Sequence, residues 1–158
     1  MEAFGRLDVL VNNAGVRSYL KVTEATEESW DEIWGVNVKG CARSPQPQTL
    51  PPQPPTPSQS RLLGASDAFC AKAAIPHMIA SGGGAVVNIA SHRSVVAGPN
   101  TVQYDTTKAA VAGLTRSMAR DHAVDGIRVN SVSPGPTMTR FHEKRNRDMG
   151  MDVEAFEK

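Results

Sequence analysis

The chain has 158 residues, of which 17 are lysine or arginine and 16 are aspartate or glutamate, so its formal net charge is +1. A balanced charge argues against a protein that binds nucleic acid by neutralising phosphates, and no apolar run approaches the about 20 residues of a membrane span. The N-terminus shows no secretory signal, and Cys41 and Cys70 form neither a metal-binding spacing nor a disulfide framework. We therefore expect a cytoplasmic protein with no metal site and no nucleic-acid or membrane partner.

A proline-rich tract interrupts the chain. Seven of the 11 prolines lie between Pro45 and Pro57, and no charged residue occurs between Ser44 and Ser60. Such a segment cannot bury enough apolar surface to offset its ordering entropy, so we expect a disordered or polyproline-like insertion. Its PxxP spacings leave open a ligand for an SH3-type or WW-type module, but the favoured interpretation is an insertion without a role, because no basic residue lies within the tract.

The other segments predict alternating strands and helices. In chain order these are a strand at 8–12, a helix with its N-cap at Thr26, a helix ending over 71–80, a strand at 85–90, a helix over 104–122 and a strand at 127–132. Ser29 lies three residues after Thr26, and Glu27 and Glu28 fill the first turn, which is typical of a helix start. Pro76 is expected to kink or begin the second helix. Apolar strands separated by helices predict a parallel sheet with right-handed crossovers, and hence an α/β fold.

Tyr104 and Lys108 form the sharpest local feature. They are four residues apart in a predicted helix, so their side chains share one face. A phenol is a weak base near neutral pH and a neighbouring ammonium stabilises the phenolate, so the pair suits proton transfer to or from a hydroxyl or carbonyl. On this spacing alone, however, a solvated lysine beside a half-buried tyrosine is the commoner arrangement.

Five segments occur together in order: LDVLVNNAG, VNVKG, VVNIAS, YDTTK and GIRVNSVSPG. The set resembles the short-chain dehydrogenase/reductase family over about residues 1–40 and 67–141. The resemblance implies a partial Rossmann-type, doubly wound parallel sheet with the equivalents of the family's strands 4, 5 and 6. It also implies an NAD(P)-dependent oxidoreductase that interconverts a secondary alcohol and a ketone by hydride transfer. The implied partner is a small-molecule alcohol or ketone, and full-length members are usually homodimers or homotetramers.

The same resemblance implies roles for individual residues. Tyr104 would be the acid/base, and Lys108 would favour its phenolate and bind the nicotinamide ribose. Ser91 would polarise the substrate carbonyl, and Asn37 would hold a water that relays protons to Lys108. The implied cofactor-binding residues are Asn13, Ala14, Gly15, Tyr104, Lys108, Pro134, Gly135, Thr137 and Thr139. Ser94 stays open as the alternative to Ser91, and His92 as a base, although an exposed loop histidine is commoner.

Part of the family's pattern is absent from this sequence. No glycine-rich turn of the TGxxxGxG type occurs, and the resemblance places the chain's start before the family's fourth strand and its end in the substrate loop. Residues 41–66 interrupt the helix that carries Asn37, and deleting them restores an amphipathic pattern. We therefore expect one incomplete NAD(P)-binding domain over residues 1–158, with 41–66 a translated intron or a gene-assembly error. The resemblance implies an oxidoreductase, but this chain by itself is expected to be inactive, as a fragment or wrongly assembled gene product that lacks the glycine-rich cofactor loop. The sequence does not distinguish NAD from NADP.

Overall fold

Three parallel strands form the sheet in the computed structural model, which describes residues 4–39 and 67–137. The strands are β1 (Val9–Asn12), β2 (Gly84–Ile89) and β3 (Ile127–Val132), in the order β1-β2-β3. Each predicted strand is confirmed to within one residue at either end. Because all three run in the same direction, their carboxyl ends meet at one edge, with Asn12 opposite Asn88 and Ile89 opposite Val132.

The helices follow the strands as predicted. They are α1 (Glu27–Trp34), which continues into a π-helical turn (Gly35–Lys39), α2 (Asp67–Ala80) and α3 (Val102–Asp121), with short 3₁₀ turns at His92–Ser94 and Ala123–Asp125. The N-terminus of α1 is a capping box. Thr26 Oγ1 accepts a hydrogen bond from the Ser29 N–H at 3.2 Å, and Ser29 Oγ accepts one from the Thr26 N–H at 3.0 Å.

Helix α2 decides one part of the expectation that Pro76 would kink or begin a helix. The helix begins at Asp67 and runs through Pro76 to Ala80, so the proline does not begin it. Proline has no N–H for the carbonyl of Lys72, one turn earlier. Lys72 and Pro76 are both exposed, so water can bond that carbonyl and the helix continues. Helix α3 likewise begins two residues before the predicted position, at Val102.

The hydrophobic core lies on one face of the sheet, between the strands and helices α2 and α3. Its buried members are Ala71, Ala74, Ile75, Met78, Val86, Met118, Ile127 and Val129. The opposite face of the described sheet is open, because Val9 and Val11 of β1 are 54% and 57% exposed. The described layers therefore place all the helix packing on one side and leave a second apolar face uncovered.

Two further expectations concern membrane-spanning helices and the predicted insertion. Within residues 4–39 and 67–137, no helix is both long enough and apolar enough to cross a membrane. The predicted insertion at 41–66, the residue Cys41 and the candidate Thr139 lie outside the described residues.

Candidate active site

Asn37 connects the loop after β1 to the helices. The π-helical turn carries it into the interior, where it is 1% exposed. Its Oδ1 accepts a hydrogen bond from the Val16 N–H at 2.8 Å, and its Nδ2 donates to the Val16 carbonyl at 2.9 Å. The second Nδ2 proton goes to Thr107 Oγ1 at 2.9 Å. Thr107 Oγ1 in turn donates to the Tyr104 carbonyl at 2.8 Å, so the amide fixes the loop against the first turns of α3.

Lys108 lies one helical turn after Tyr104 and is buried, at 5% exposed. Its Nζ donates to the carbonyl of Ile89, the last residue of β2, at 2.7 Å, and lies 5.9 Å from the centroid of the Tyr104 ring. Burial lowers the pKa of the Lys108 ammonium from its usual value, and the charge of Asp67 partly opposes this shift. The two side chains therefore share one face of α3, and the ammonium is anchored to the end of the central strand.

Gly15 leaves open space beside this ammonium. A Cβ at position 15 would lie 3.4 Å from Asn37 Oδ1 and 3.5 Å from Lys108 Nζ. The other two residues of the NNAG turn, Asn13 and Ala14, are exposed beyond the end of β1. A ligand that reaches the end of β1 can thus approach Lys108 across the backbone of Gly15.

Ser91 follows β2 and is buried, at 6% exposed. Its Oγ accepts a hydrogen bond from the Arg93 N–H at 3.2 Å, which leaves its own hydroxyl proton available as a donor. The hydroxyl proton of Ser94 is used differently, because Ser94 Oγ donates to the Ser91 carbonyl at 2.7 Å. Of the two serines, Ser91 is the one with a donor free for a ligand among the described contacts.

The loop after β3 is bound to the loop after β2. The His92 N–H donates to the Pro134 carbonyl at 3.0 Å, and His92 Nδ1 lies 3.3 Å from the same oxygen. Thr137 Oγ1 donates to the Gly135 carbonyl at 3.3 Å, and Pro134, Gly135 and Thr137 are all exposed. His92 thus holds the β3 loop in place, a role that its position in the sequence did not suggest.

Sequence reasoning missed several residues that build the site. Asn12 Nδ2 donates to Asn88 Oδ1 at 2.9 Å, and Asn88 Nδ2 donates to Thr115 Oγ1 at 2.9 Å, so a polar chain crosses the core beneath the strand ends. Asn12 could have been found by alternation, because it lies two residues after the inward-facing Leu10. The links through Thr107 depend on the tertiary path and carry no local signal.

Comparison with known proteins decides the family. A profile described as short chain dehydrogenase matches residues 1–46 and 65–150. The chain belongs to the short-chain dehydrogenase family. The match leaves unaligned the middle of the proline-rich tract and includes all four residues predicted to be catalytic, Asn37, Ser91, Tyr104 and Lys108.

Several curated oxidoreductases are similar to the chain. It is 41% identical over 148 residues to 2-(R)-hydroxypropyl-CoM dehydrogenase of Xanthobacter autotrophicus, which covers 92% of this chain and 49% of that protein. It is 39% identical over 139 residues to an uncharacterized oxidoreductase of Thermotoga maritima, covering 88% of this chain and 45% of the relative. Meso-2,3-butanediol dehydrogenase of Serratia marcescens is 35% identical over 140 residues, and the match covers 89% of this chain and 45% of that protein. The chain thus spans about half the length of these relatives.

Solved structures give the same fold. A structure of ElxO with NADP bound superimposes with a TM-score of 0.72 at 30% identity, covering 98% of this chain and 52% of ElxO. Acetoin dehydrogenase from Enterobacter cloacae superimposes with a TM-score of 0.68 at 31% identity, and the match covers 91% of this chain and 47% of that protein. These neighbours confirm a Rossmann-type α/β fold and support dependence on NAD(P) at the level of the family.

Proposed function

We propose that this chain carries the catalytic residues of an NAD(P)-dependent oxidoreductase that interconverts a secondary alcohol and a ketone. The supporting observation is the pair on α3, in which the buried Lys108 ammonium lies near the Tyr104 ring and is anchored to the Ile89 carbonyl. The names of two similar proteins, a hydroxypropyl and a butanediol dehydrogenase, fit this class of substrate.

Tyr104 is the proposed acid/base. In the reductive direction its hydroxyl gives a proton to the oxygen that develops negative charge, and in the oxidative direction its phenolate takes the proton back. Lys108 contributes positive charge beside the phenolate. An ammonium has three donors, and the Ile89 carbonyl uses one, so two remain for hydroxyl groups of a bound cofactor or for water.

Ser91 is proposed to polarise the substrate carbonyl. Its hydroxyl accepts from the Arg93 N–H, which orients the oxygen and leaves the proton free to donate. Ser91 and Tyr104 would then supply two donors to one substrate oxygen, which stabilises negative charge there as the carbonyl is reduced.

Asn37 is proposed mainly as a positioning residue. Both protons of its amide are used, by Val16 and Thr107, so a water on the side chain would have to donate to the remaining lone pair of Oδ1. That oxygen and Lys108 Nζ both border the open space beside Gly15, which suits the proton relay predicted from the sequence.

The residues at the ends of the strands are proposed to bind the cofactor, with Asn13 and its neighbours on the adenosine side and the loop after β3 on the nicotinamide side. The missing Cβ of Gly15 allows close approach to Lys108, and exposed loops follow β1 and β3 at the same edge of the sheet. Asn13, Ala14, Gly15, Pro134, Gly135 and Thr137 would hold the cofactor, whose role is to supply or accept the hydride. NAD and NADP are both candidates, and titration with each measures the preference.

Substitution Tyr104→Phe tests the assigned acid/base. We expect turnover of butane-2,3-dione with NADH or NADPH, followed by absorbance, to fall about 10²–10⁴-fold while cofactor affinity is retained, because only the transferable proton is lost. Near-normal turnover in this variant would contradict the assignment. So would a folded wild-type chain that neither binds cofactor nor reduces any ketone.

Substitution Lys108→Met tests the proposed role of the ammonium group. We expect it to weaken cofactor binding as well as turnover, because the same ammonium serves both. Lys72→Met is the matched control, since Lys72 is exposed on α2 and contacts Phe69 rather than the site.

A further inference from the structure

Arg17 is a cation that the proposed proton-transfer mechanism does not use. Its guanidinium carbon lies 5.0 Å from the centroid of the Tyr104 ring and 4.8 Å from that of Tyr19. The side chain is half-buried, and its Nε is buried without a hydrogen-bond acceptor among the described residues. No carboxylate in the described part of the chain forms an ion pair with it.

The position of Arg17 is fixed by its two neighbours. The backbone of Val16 is held by both ends of the Asn37 amide. Ser18 Oγ donates to Gln103 Oε1 at 2.8 Å, and Gln103, which is 0% exposed, donates through Nε2 to Ser29 Oγ at 2.7 Å. The segment is therefore anchored to α1 and α3 on each side of Arg17, and the guanidinium is presented beside the Tyr104 ring.

A guanidinium in this setting is suited to binding an anion. A partly buried positive charge is costly unless it is paired. Its planar fork matches a carboxylate, which can accept two parallel hydrogen bonds from it. Stacking on an aromatic ring leaves the edge of the guanidinium available for such bonds, because the ring occupies its face.

We propose that Arg17 binds a carboxylate on the substrate, so that the enzyme acts on a small oxo acid and the corresponding hydroxy acid. This inference rests on the proposed oxidoreductase function and adds the class of substrate. A carboxylate held at Arg17 lies on the same side of the site as Tyr104. The ketone at the other end of a short oxo acid is then directed towards the Tyr104 hydroxyl and Ser91.

The test compares an acid with its uncharged ester. Binding of acetoacetate and of methyl acetoacetate to the 158-residue chain is measured by saturation-transfer NMR, for the wild type, Arg17→Gln and Arg17→Lys. We expect Arg17→Gln to weaken acetoacetate binding about 10- to 100-fold, as loss of a charged hydrogen-bonded pair does, and to change ester binding less than about twofold. Arg116→Gln is the matched control, because Arg116 is exposed on α3.

Arg17→Lys keeps the folded protein testable if the neutral variant does not fold. A lysine retains the charge and loses the bidentate fork, so we expect a smaller loss of acetoacetate binding, again without effect on the ester. Equal effects on acid and ester, or none on the acid, would overturn the inference, because Arg17 would then serve only to pack against Tyr104.

The failure of this inference is separable from failure of the proposed function. Reduction of the uncharged butane-2,3-dione by the wild type tests the oxidoreductase activity and does not involve a carboxylate. If that reaction occurs while Arg17→Gln leaves acetoacetate binding unchanged, only the substrate class is wrong. If acetoacetate binding depends on Arg17 but no ketone is reduced, the anion site stands and the proposed reaction fails.

Discussion

Gly15 lies beside both Asn37 and Lys108, so its lack of a side chain bears directly on the site. Its backbone does not require positive φ, so an alanine is conformationally acceptable there. The added methyl would contact both Asn37 Oδ1 and Lys108 Nζ at ordinary van der Waals distances and occupy the space between them. The position therefore separates a requirement of the site from a requirement of the fold.

For Gly15→Ala we expect a stable protein with impaired ligand binding. The free energy of unfolding, from urea titration, should change by no more than about 1 kcal/mol. Cofactor affinity should fall about tenfold, because the methyl excludes water and ligand hydroxyls from the ammonium. Gly113→Ala on α3 is the control, since a Cβ there meets only the end of Arg116 at 3.8 Å. Unchanged affinity in Gly15→Ala would show that ligands do not approach Lys108 from this side.

Asp67 couples the stability of the protein to pH. Burial raises the pKa of its carboxyl group from 3.8 to about 6, against the opposing charge of Lys108. Between about pH 4 and pH 6 the Asp67 carboxyl group is therefore more protonated in the folded state than in the unfolded state. Its contribution to the free energy of unfolding falls as the pH rises through this window and is level above it.

Substitution Asp67→Asn should remove this dependence. The neutral amide has nearly the same shape and does not ionise, so the variant should gain about 1–2 kcal/mol relative to the wild type between pH 4 and pH 7 after allowance for solvent screening. Thermal unfolding at both pH values measures the difference. Asp121→Asn, at the exposed end of α3, is the control. The same pH dependence of stability in the wild type and in Asp67→Asn would contradict the assignment.

At the level of residues, the sequence predicted contacts between neighbours in one helix and missed contacts between segments that are distant in the chain. Tyr104 and Lys108 are one turn apart in a single helix, so their shared face follows from helical geometry. Arg17 reaches the Tyr104 ring only because the loop after β1 folds back over α3. No spacing in the sequence encodes that contact.

The turn before β2 contains Gly82 and Gly83, which differ in how much space surrounds them, and it meets the turn at Gly126 before β3. Gly82 has φ of 88°, and a Cβ added there would have nothing within 4 Å. Gly83 has φ of 118°, and a Cβ there would lie 2.6 Å from the Gly126 carbonyl oxygen. Gly126 itself has φ of 71° and ends the turn before β3. The connections that precede β2 and β3 are thus in direct backbone contact.

Comparing Gly82→Ala with Gly83→Ala separates backbone strain from crowding. Both substitutions place a side chain at positive φ, which costs about 1–2 kcal/mol. Gly83→Ala should cost roughly 1–3 kcal/mol more, because the methyl must displace the Gly126 carbonyl. Urea unfolding of the two variants gives the difference. Equal losses of stability in the two variants would show that the turn at Gly83 and the turn at Gly126 separate easily.

At the level of elements, strands and capping were predictable and the extent of α2 was not. The three strands are short apolar runs bounded by polar or glycine residues, and the Thr26 cap is set by residues three positions apart. Pro76 does not begin the helix, and its missing hydrogen bond falls on the exposed side of α2. Exposure of a carbonyl is a tertiary property, so the penalty of a proline could not be judged from its position alone.

For the molecule as a whole, the sequence predicted a parallel sheet but not how the described helices are distributed. Alternation of strands and helices is compatible with helices on either face. Leu10, Val86 and Val129 form one row of the sheet and all pack towards α2 and α3. That the described helices lie together on this side follows only from the three-dimensional crossovers.

The amide chain through Asn12 and Asn88 has a consequence for how the sheet assembles. Successive side chains of a strand point to opposite faces, so a one-residue slip of β1 along β2 would turn Asn12 to the open face and bring Val11 inward. Hydrophobicity alone would barely oppose such a slip, since β1 is apolar on both faces. The slip would, however, leave Asn88 Oδ1 in the interior without its donor. The buried asparagines thus favour one register between β1 and β2, where hydrophobicity alone would discriminate poorly. This register brings NNAG level with Ser91 at the edge of the sheet where the chemistry is proposed.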